Sequence, residues 1–216
     1  MARDGLELRR DERGLVLVGN GLELRGDFTH MLPRLRPANL RRELLVKAAH
    51  VRGAVSPTAV DATAGLGEDA FLLAAAGFSV LLCERDPVIA ALLRDALERA
   101  AQDERLAGLA KRMRLVEGDS VQTLASLATA PHVVFLDPMF PEKRKRAATN
   151  KKLQLFQQLE RPCEDEEALM QAALAAHPRK VVVKRPLKGP YLAGVKPSSS
   201  LAGKVVRYDV IVPSYG

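Results

Sequence analysis

From residue 58 onward the chain alternates short apolar runs with helix-period segments, and the first junction, DATAGLGEDA at residues 61–70, constrains the fold most. An apolar strand over 58–63 feeds a glycine turn. A helix over 68–76 follows, stopped by Gly77 at the C′ position. The unit then recurs. Strands are expected at 79–84, 113–117, 132–136, 180–184 and 204–212. Helices are expected after Asp86-Pro87 to about residue 101, at 120–128, near 151–160 and at 165–176. Asp86 followed by Pro87 is a cap with proline at the first helical position. Strands alternating with helices imply a mostly parallel, Rossmann-like α/β sheet with right-handed crossovers.

The segment before this alternation reads differently. Leu15, Leu17, Leu22 and Leu24 alternate around Gly19-Asn20-Gly21, the signal of a hairpin within a small β-meander over 5–28. From Pro37, Leu40, Leu44, Leu45, Ala48 and Val51 recur at helical spacing, with Arg41, Arg42 and Lys47 on the polar side. Gly53 and Pro57 close that stretch. Two units are therefore expected, a lobe of meander and helix over 1–53 and a main domain over 54–216.

Length and composition fit this reading. A chain of 216 residues suffices for one α/β domain with a small appendage. An apolar fraction of 47% argues against disorder. The net charge of +7 favours a polyanionic partner, a nucleic acid above all. Cys83 and Cys163 form no CxxC pair, so no disulfide framework and no metal site is expected, which suits a reducing cytoplasm. The opening MARDGLELRRDERG is too charged for a signal peptide, and no apolar run approaches the ~18 residues of a membrane span.

Chemistry concentrates at the strand ends. Gly65, Gly67 and Ala70 satisfy GxGxxG/A, where backbone can approach a ligand. Glu84 ends the second strand, placed to accept hydrogen bonds from the ribose of an adenosine-containing cofactor. Asp119 and Ser120 follow the third strand. Asp119 is a candidate acceptor for an adenine amine, and either residue equally suits a helix N-cap. A dinucleotide and S-adenosylmethionine compete for this loop. Asp61, Glu68 and Asp69 would repel a pyrophosphate but sit well beside a sulfonium or an α-ammonium, which favours S-adenosylmethionine.

The fourth strand ends VVFLDPMFPEKRKR, residues 133–146. Asp137-Pro138-Met139-Phe140 has the form of the (Asn/Asp)-Pro-Pro-aromatic motif of amino-methyltransferases, with Met139 in place of the second proline. An exocyclic base amine is a poor nucleophile because its lone pair is delocalised into the ring. A carboxylate and a carbonyl that accept its two hydrogens aim that lone pair at the methyl group and stabilise the charge developing on nitrogen. Phe140 is suited to stack on the base, and Pro138 and Pro141 restrict the loop. Basic residues follow: six Lys/Arg against one acid over 142–152, and eight with no acid over 176–208. Lys143, Arg144, Lys145, Arg146, Lys184 and Arg185 are accordingly expected to contact RNA phosphates.

DATAGLGEDAF, LLCERDPVIAALL, VVFLDPMFPEKRK and KVVVKRP together resemble the ribosomal RNA small subunit methyltransferase J family, over roughly residues 58–186. The resemblance implies a class I methyltransferase fold with a seven-stranded-type sheet, and transfer of a methyl group from S-adenosylmethionine to N2 of a guanosine in 16S ribosomal RNA. It implies that Glu68-Asp69, Glu84-Arg85, Asp119-Ser120 and Asp137 contact the cofactor, with Asp137 between methyl donor and target amine. Three other readings stand beside it: an amino-methyltransferase acting on tRNA, DNA or protein, a non-catalytic RNA-binding protein with the same fold, and a nucleotide-dependent dehydrogenase.

Overall fold

A computed structural model describes residues 2–3, 5–139, 155 and 165–215. Its main feature is a seven-stranded sheet of order β10-β11-β9-β8-β5-β6-β7. Five strands are parallel: β5 (Thr58–Asp61), β6 (Ser79–Glu84), β7 (Met113–Glu117), β8 (Val133–Leu136) and β9 (Lys180–Pro186). β11 (Val206–Ile211) runs antiparallel to β9, and β10 (Ser199–Ala202) antiparallel to β11. All four residues of β8 are buried, as expected of a parallel strand covered on both faces. Chain order reverses between β5 and β8, and a crevice at the carboxyl ends of the strands opens at such a switch point.

Between the strands lie α4 (Glu68–Ala75), α5 (Pro87–Gln102), α6 (Ala107–Ala110), α7 (Ser120–Ala125) and α8 (Glu166–Ala175). Asp86 caps α5 as its sequence implies, accepting from the amides of Val88 and Ile89. The amino-terminal strands β1 (Ala2–Arg3), β2 (Leu6–Asp11), β3 (Gly14–Gly19) and β4 (Leu22–Leu24) form the expected antiparallel meander. At its turn Asn20 and Gly21 both have positive φ, 52° and 70°, as a two-residue type I′ hairpin requires. Leu6, Leu17 and Leu24 pack on Val88, Ile89 and Leu92 of α5. Buried Asp95 on α5 pairs with Arg10 of β2 and with Arg99.

The single helix expected over 37–51 is broken. After α1 (Leu32–Leu35), the chain forms α2 (Pro37–Leu40) and α3 (Leu44–Ala49). Glu43 between them is extended at φ −60° and ψ 126°, its carboxylate held by two bonds from Arg34 at 2.8 and 2.9 Å. Phe28, Met31, Leu45, Ala48 and Ala49 share one apolar cluster with Phe71 and Leu72 of α4, and Phe28 stacks on Phe71 at 4.2 Å. Residue 53 therefore does not coincide with a gap in the packing. β10 had no apolar alternation to announce it, because its residues lie exposed or half-buried at the sheet edge.

Candidate active site

Four strand ends and one turn build the site. β5 ends on Asp61, whose side chain is only 1% exposed and accepts from the Thr63 amide at 3.1 Å. Thr63 in turn uses its Oγ1 to accept the Asp137 amide at 2.6 Å. These two bonds lock the end of β5 to the end of β8 across the switch point.

The glycine turn is anchored by Glu84. Its Oε2 accepts from the Gly65 amide at 2.9 Å and its Oε1 from the Asp86 amide at 2.8 Å. Glu84 is 5% exposed, and the following Arg85 is exposed. Both bonds stabilise the ionised carboxylate, yet burial outweighs them and raises its pKa. Each carboxylate oxygen has two acceptor positions, so the anchoring bonds leave capacity for a ligand hydroxyl. At Gly67, φ is +79° and an added Cβ would lie 2.7 Å from Leu93 Cδ1, so only glycine lets α4 start this close to α5.

Across the crevice, Lys184 on β9 donates to Asp69 Oδ2 at 2.7 Å and sits 2.9 Å from Asp137 Oδ2. One ammonium thus serves two carboxylates, one on α4 and one on the Asp-Pro-Met turn. The pair of carboxylates drives the lysine pKa far up despite its burial. Asp61 lies behind them; burial first, then Asp69, push its pKa well above the ordinary carboxylate value, with Asp137 adding to the effect and Lys184 opposing it. For Asp137, burial raises the pKa and Lys184 draws it back. Three carboxylates around one ammonium leave a pocket short of positive charge. That is the complement of a ligand carrying a sulfonium and an α-ammonium. Nearby Cys83 is buried, its thiol pushed up to about 12, which makes it an inert core residue.

The remaining sequence candidates fall out as follows. Asp119 is exposed and caps α7, accepting from the Val121 amide at 2.7 Å, with Ser120 the first helical residue. Glu68 is half-exposed and lies 3.2 Å from His30 Nε2. Pro138 is buried beside Asp137. Phe140, Pro141, Lys143, Arg144, Lys145, Arg146 and the helix expected near 151–160 lie outside the described residues, save Leu155. Two expectations need correction. Lys184 is committed to Asp69 and Asp137 and is not placed for phosphate. Arg185 has a 0% exposed side chain, donates to the Pro190 carbonyl and pairs with Glu166, so it cannot reach RNA. Both sit on a central strand whose side chains face inward. Thr63 and the bridging role of Lys184 were not among the sequence expectations, and neither carries a local sequence signal. Among the described residues no cluster of His, Cys, Asp and Glu is arranged to hold a metal ion, and no helix is long and apolar enough to cross a membrane.

A seven-stranded sheet with an antiparallel β10–β11–β9 end, a glycine turn after its first parallel strand and acids on successive strand ends define a class I S-adenosylmethionine-dependent methyltransferase fold. The family model described as "Putative SAM-dependent methyltransferase" matches residues 4–213, so the likeness reaches well beyond residues 58–186 and includes the meander. A solved SAM-dependent methyltransferase from Neisseria gonorrhoeae superposes with a TM-score of 0.77 at 31% identity, covering 99% of this chain and 85% of that one. Ribosomal RNA small subunit methyltransferase J of Thioalkalivibrio sulfidiphilus is 47% identical over 213 residues, covering 92% of this chain and 84% of that protein. Its Pseudomonas aeruginosa counterpart is 48% identical over 169 residues, covering 78% of this chain and 65% of that protein, so the match spans just under two thirds of that relative's length. The chain belongs to the ribosomal RNA small subunit methyltransferase J family.

Proposed function

We propose that the protein methylates the exocyclic N2 amine of a guanosine in small-subunit ribosomal RNA, using S-adenosylmethionine, in the cytoplasm. The names of its relatives support the substrate class. The observation that carries the chemistry is Asp137, held at the switch-point end of β8 by Thr63 and facing an acid-rich pocket.

S-adenosylmethionine supplies a methyl group on a sulfonium, an electrophile that needs no further activation. The chain's own residues bind and aim. Asp61 and Asp69 provide the negative potential that favours the cationic methionine end, and Glu84 accepts from the ribose. Glu68, Arg85, Asp119 and Ser120 border the nucleoside side, with Gly65 and Gly67 shaping the turn. The Asp137 carboxylate accepts a hydrogen of the amine. As nitrogen gains a bond to the methyl carbon, the methyl–sulfur bond breaks, its electron pair stays on sulfur and S-adenosylhomocysteine leaves. The positive charge growing on nitrogen strengthens the Asp137 contact, which lowers the barrier rather than only tightening binding. The surplus proton on nitrogen then leaves by way of Asp137 to water. Lys184 cannot take it, because its own proton is held by two carboxylates. Pro138 stiffens the turn, Phe140 stacks on the base, and Lys143 to Arg146 contact phosphates.

Methyl transfer from labelled cofactor to under-methylated small-subunit rRNA, followed by nucleoside analysis, tests the reading. N2-methylguanosine is the expected product. Label on a ring nitrogen, on a 2′-hydroxyl or on protein alone would overturn it, and label on tRNA or DNA amines in preference to rRNA would move the substrate.

A further inference from the structure

Half of the basic run over 176–208 is spent inside the protein. Lys180 caps α3, donating to the carbonyls of Ala48 and His50 at 3.2 and 2.7 Å. Lys184 and Arg185 are committed as described above. Arg207, only 8% exposed, pairs with Asp209 at 2.9 Å, and its Nη1 donates to the carbonyls of Pro186, Leu187 and Gly189, each at 2.9 Å. Its guanidinium also lies 5.3 Å from the centre of the Tyr191 ring. The Leu187 amide donates to Val205 at 3.0 Å, carrying the β9–β11 ladder one step past the strands.

A buried arginine therefore holds a surface loop in one shape. That loop turns a set of side chains outward: Leu187 at 38% exposure, Tyr191 at 42% and Val205 at 76%, flanked by exposed Lys188 and Lys204. Neither lysine makes an ion pair with any described residue, and no carboxylate occurs in the chain from 176 to 208. The loop begins three residues beyond Lys184, which contacts Asp137, so at ~3.3 Å per strand residue it starts roughly 10 Å further along β9 from that lysine.

We infer that loop 187–191 and the adjoining turn at 203–205 form a rigid platform for the RNA strand flanking the target nucleotide, with Lys188 and Lys204 on phosphates and Tyr191 stacked on a base. The inference rests on the proposed RNA methyl transfer. Charge complementarity selects the partner: an aromatic ring between uncompensated lysines suits a planar, anionic chain, whereas a protein surface would call for acids or a larger apolar face. The Arg207 clamp lowers the entropy lost when such a contact forms.

The test compares Lys188→Glu/Lys204→Glu, Tyr191→Ala and Tyr191→Phe with the parent, in the full chain. Binding of a small-subunit rRNA fragment is measured over a salt series, S-adenosylhomocysteine binding by calorimetry, and methyl transfer as kcat and KM. The lysine pair should weaken RNA binding and flatten log K against log salt by roughly 1–2. Tyr191→Ala should raise the RNA KM by about 5–150-fold, the range of one lost base stack, while Tyr191→Phe stays near the parent. S-adenosylhomocysteine affinity should not change, since no pocket residue is touched. Parental RNA affinity and salt slope in the lysine variant overturn the platform. So does a loss seen on the assembled subunit but not on naked RNA, which would make the partner a protein. A parent that binds the fragment with a salt-dependent contribution from these lysines but methylates some other substrate sinks the proposed reaction and leaves the platform standing.

Discussion

On the β5–β6 side of the switch point the buried charges are the carboxylates of Asp61 and Glu84, and main-chain amides satisfy them. Asp61 is bonded to the amide two residues on, and Glu84 to Asp86 and to the glycine turn. On the β9–β11 side buried Arg207 pairs with buried Asp209 two residues on, but the lysines of β9 reach remote partners: Lys184 and Asp69 are 115 residues apart, Lys180 and Ala48 132. The difference has a physical origin. A carboxylate can be satisfied by main-chain amides at its own turn and keep lone pairs for a ligand. A lysine or arginine on a central strand has only donors, and must find carbonyls and carboxylates that other elements deliver. One side of the crevice thus presents acceptors to a cation, while on the other only cations beyond the strand ends remain for a polyanion.

The strongest test of this contrast removes the residue where the two sides meet. Asp137→Ala should lower kcat by about 100–1000-fold, the cost of losing one preorganised electrostatic contact, with a much smaller effect on RNA binding. Asp137→Asn keeps an acceptor and should retain more activity than Ala. If both substitutions act only through KM, Asp137 binds RNA and does not assist the transfer.

Lys184→Met comes next. Burial and Asp69 raise the Asp137 pKa, and Lys184 opposes them, with Arg185 helping; Asp61 faces the same carboxylates and Tyr208 the lysine. Without the ammonium, Asp137 protonates at higher pH, so the acid limb of kcat/KM moves upward. Losing a charge-assisted bond should cost about 1.5–3 kcal/mol in kcat/KM near neutrality. Lys184→Arg should restore the parental limb. A Met variant with an unmoved limb would show that the ammonium is only structural. Glu84→Ala then probes the acceptor side. It should weaken S-adenosylhomocysteine by about 1–3 kcal/mol and also lower Tm, because the same carboxylate anchors Gly65. Unchanged cofactor affinity with a lowered Tm would reduce Glu84 to an anchor.

The contrast also explains what could be read from sequence. The strand–glycine–helix unit, the Asp86 cap, the type I′ turn and the acids at strand ends are local, and each was visible in a few adjacent residues. The basic run was visible too, but not its division. Nothing in KVVVKRP tells that Lys184 bridges Asp69 and Asp137 or that Arg185 is enclosed, since both depend on β9 lying at the centre of the sheet with α4 and α8 beside it. The break at Glu43 was hidden for a similar reason: Arg34, which holds it, lies outside the helical window. β10 is legible only through its pairing with β11.

The smallest effect expected is on stability, and it separates the acceptor side from ordinary core packing. Burial, then the crowding charges of Asp69 and Asp137, raise the Asp61 pKa in the folded protein well above the unfolded value, and the Thr63 amide opposes them. A group shifted upward stabilises the fold while protonated, and that contribution is lost as pH rises through the folded pKa. Asp61→Asn keeps the Oδ1 that accepts from Thr63 but never ionises. Relative to the parent it should therefore gain stability with rising pH, by about 2–4 °C in Tm for each 1 kcal/mol relieved. The gain should vanish below about pH 4, where the carboxyl is protonated in both states. If the Asp61 charge also attracts the methionine end of the cofactor, as proposed, cofactor affinity should fall over the same range in which Tm rises. Thermal melts from pH 4 to 9 and parallel calorimetry read both quantities. A Tm difference independent of pH would mean that folding leaves the Asp61 pKa unshifted, and its electrostatic crowding by Asp69 and Asp137 would be wrong.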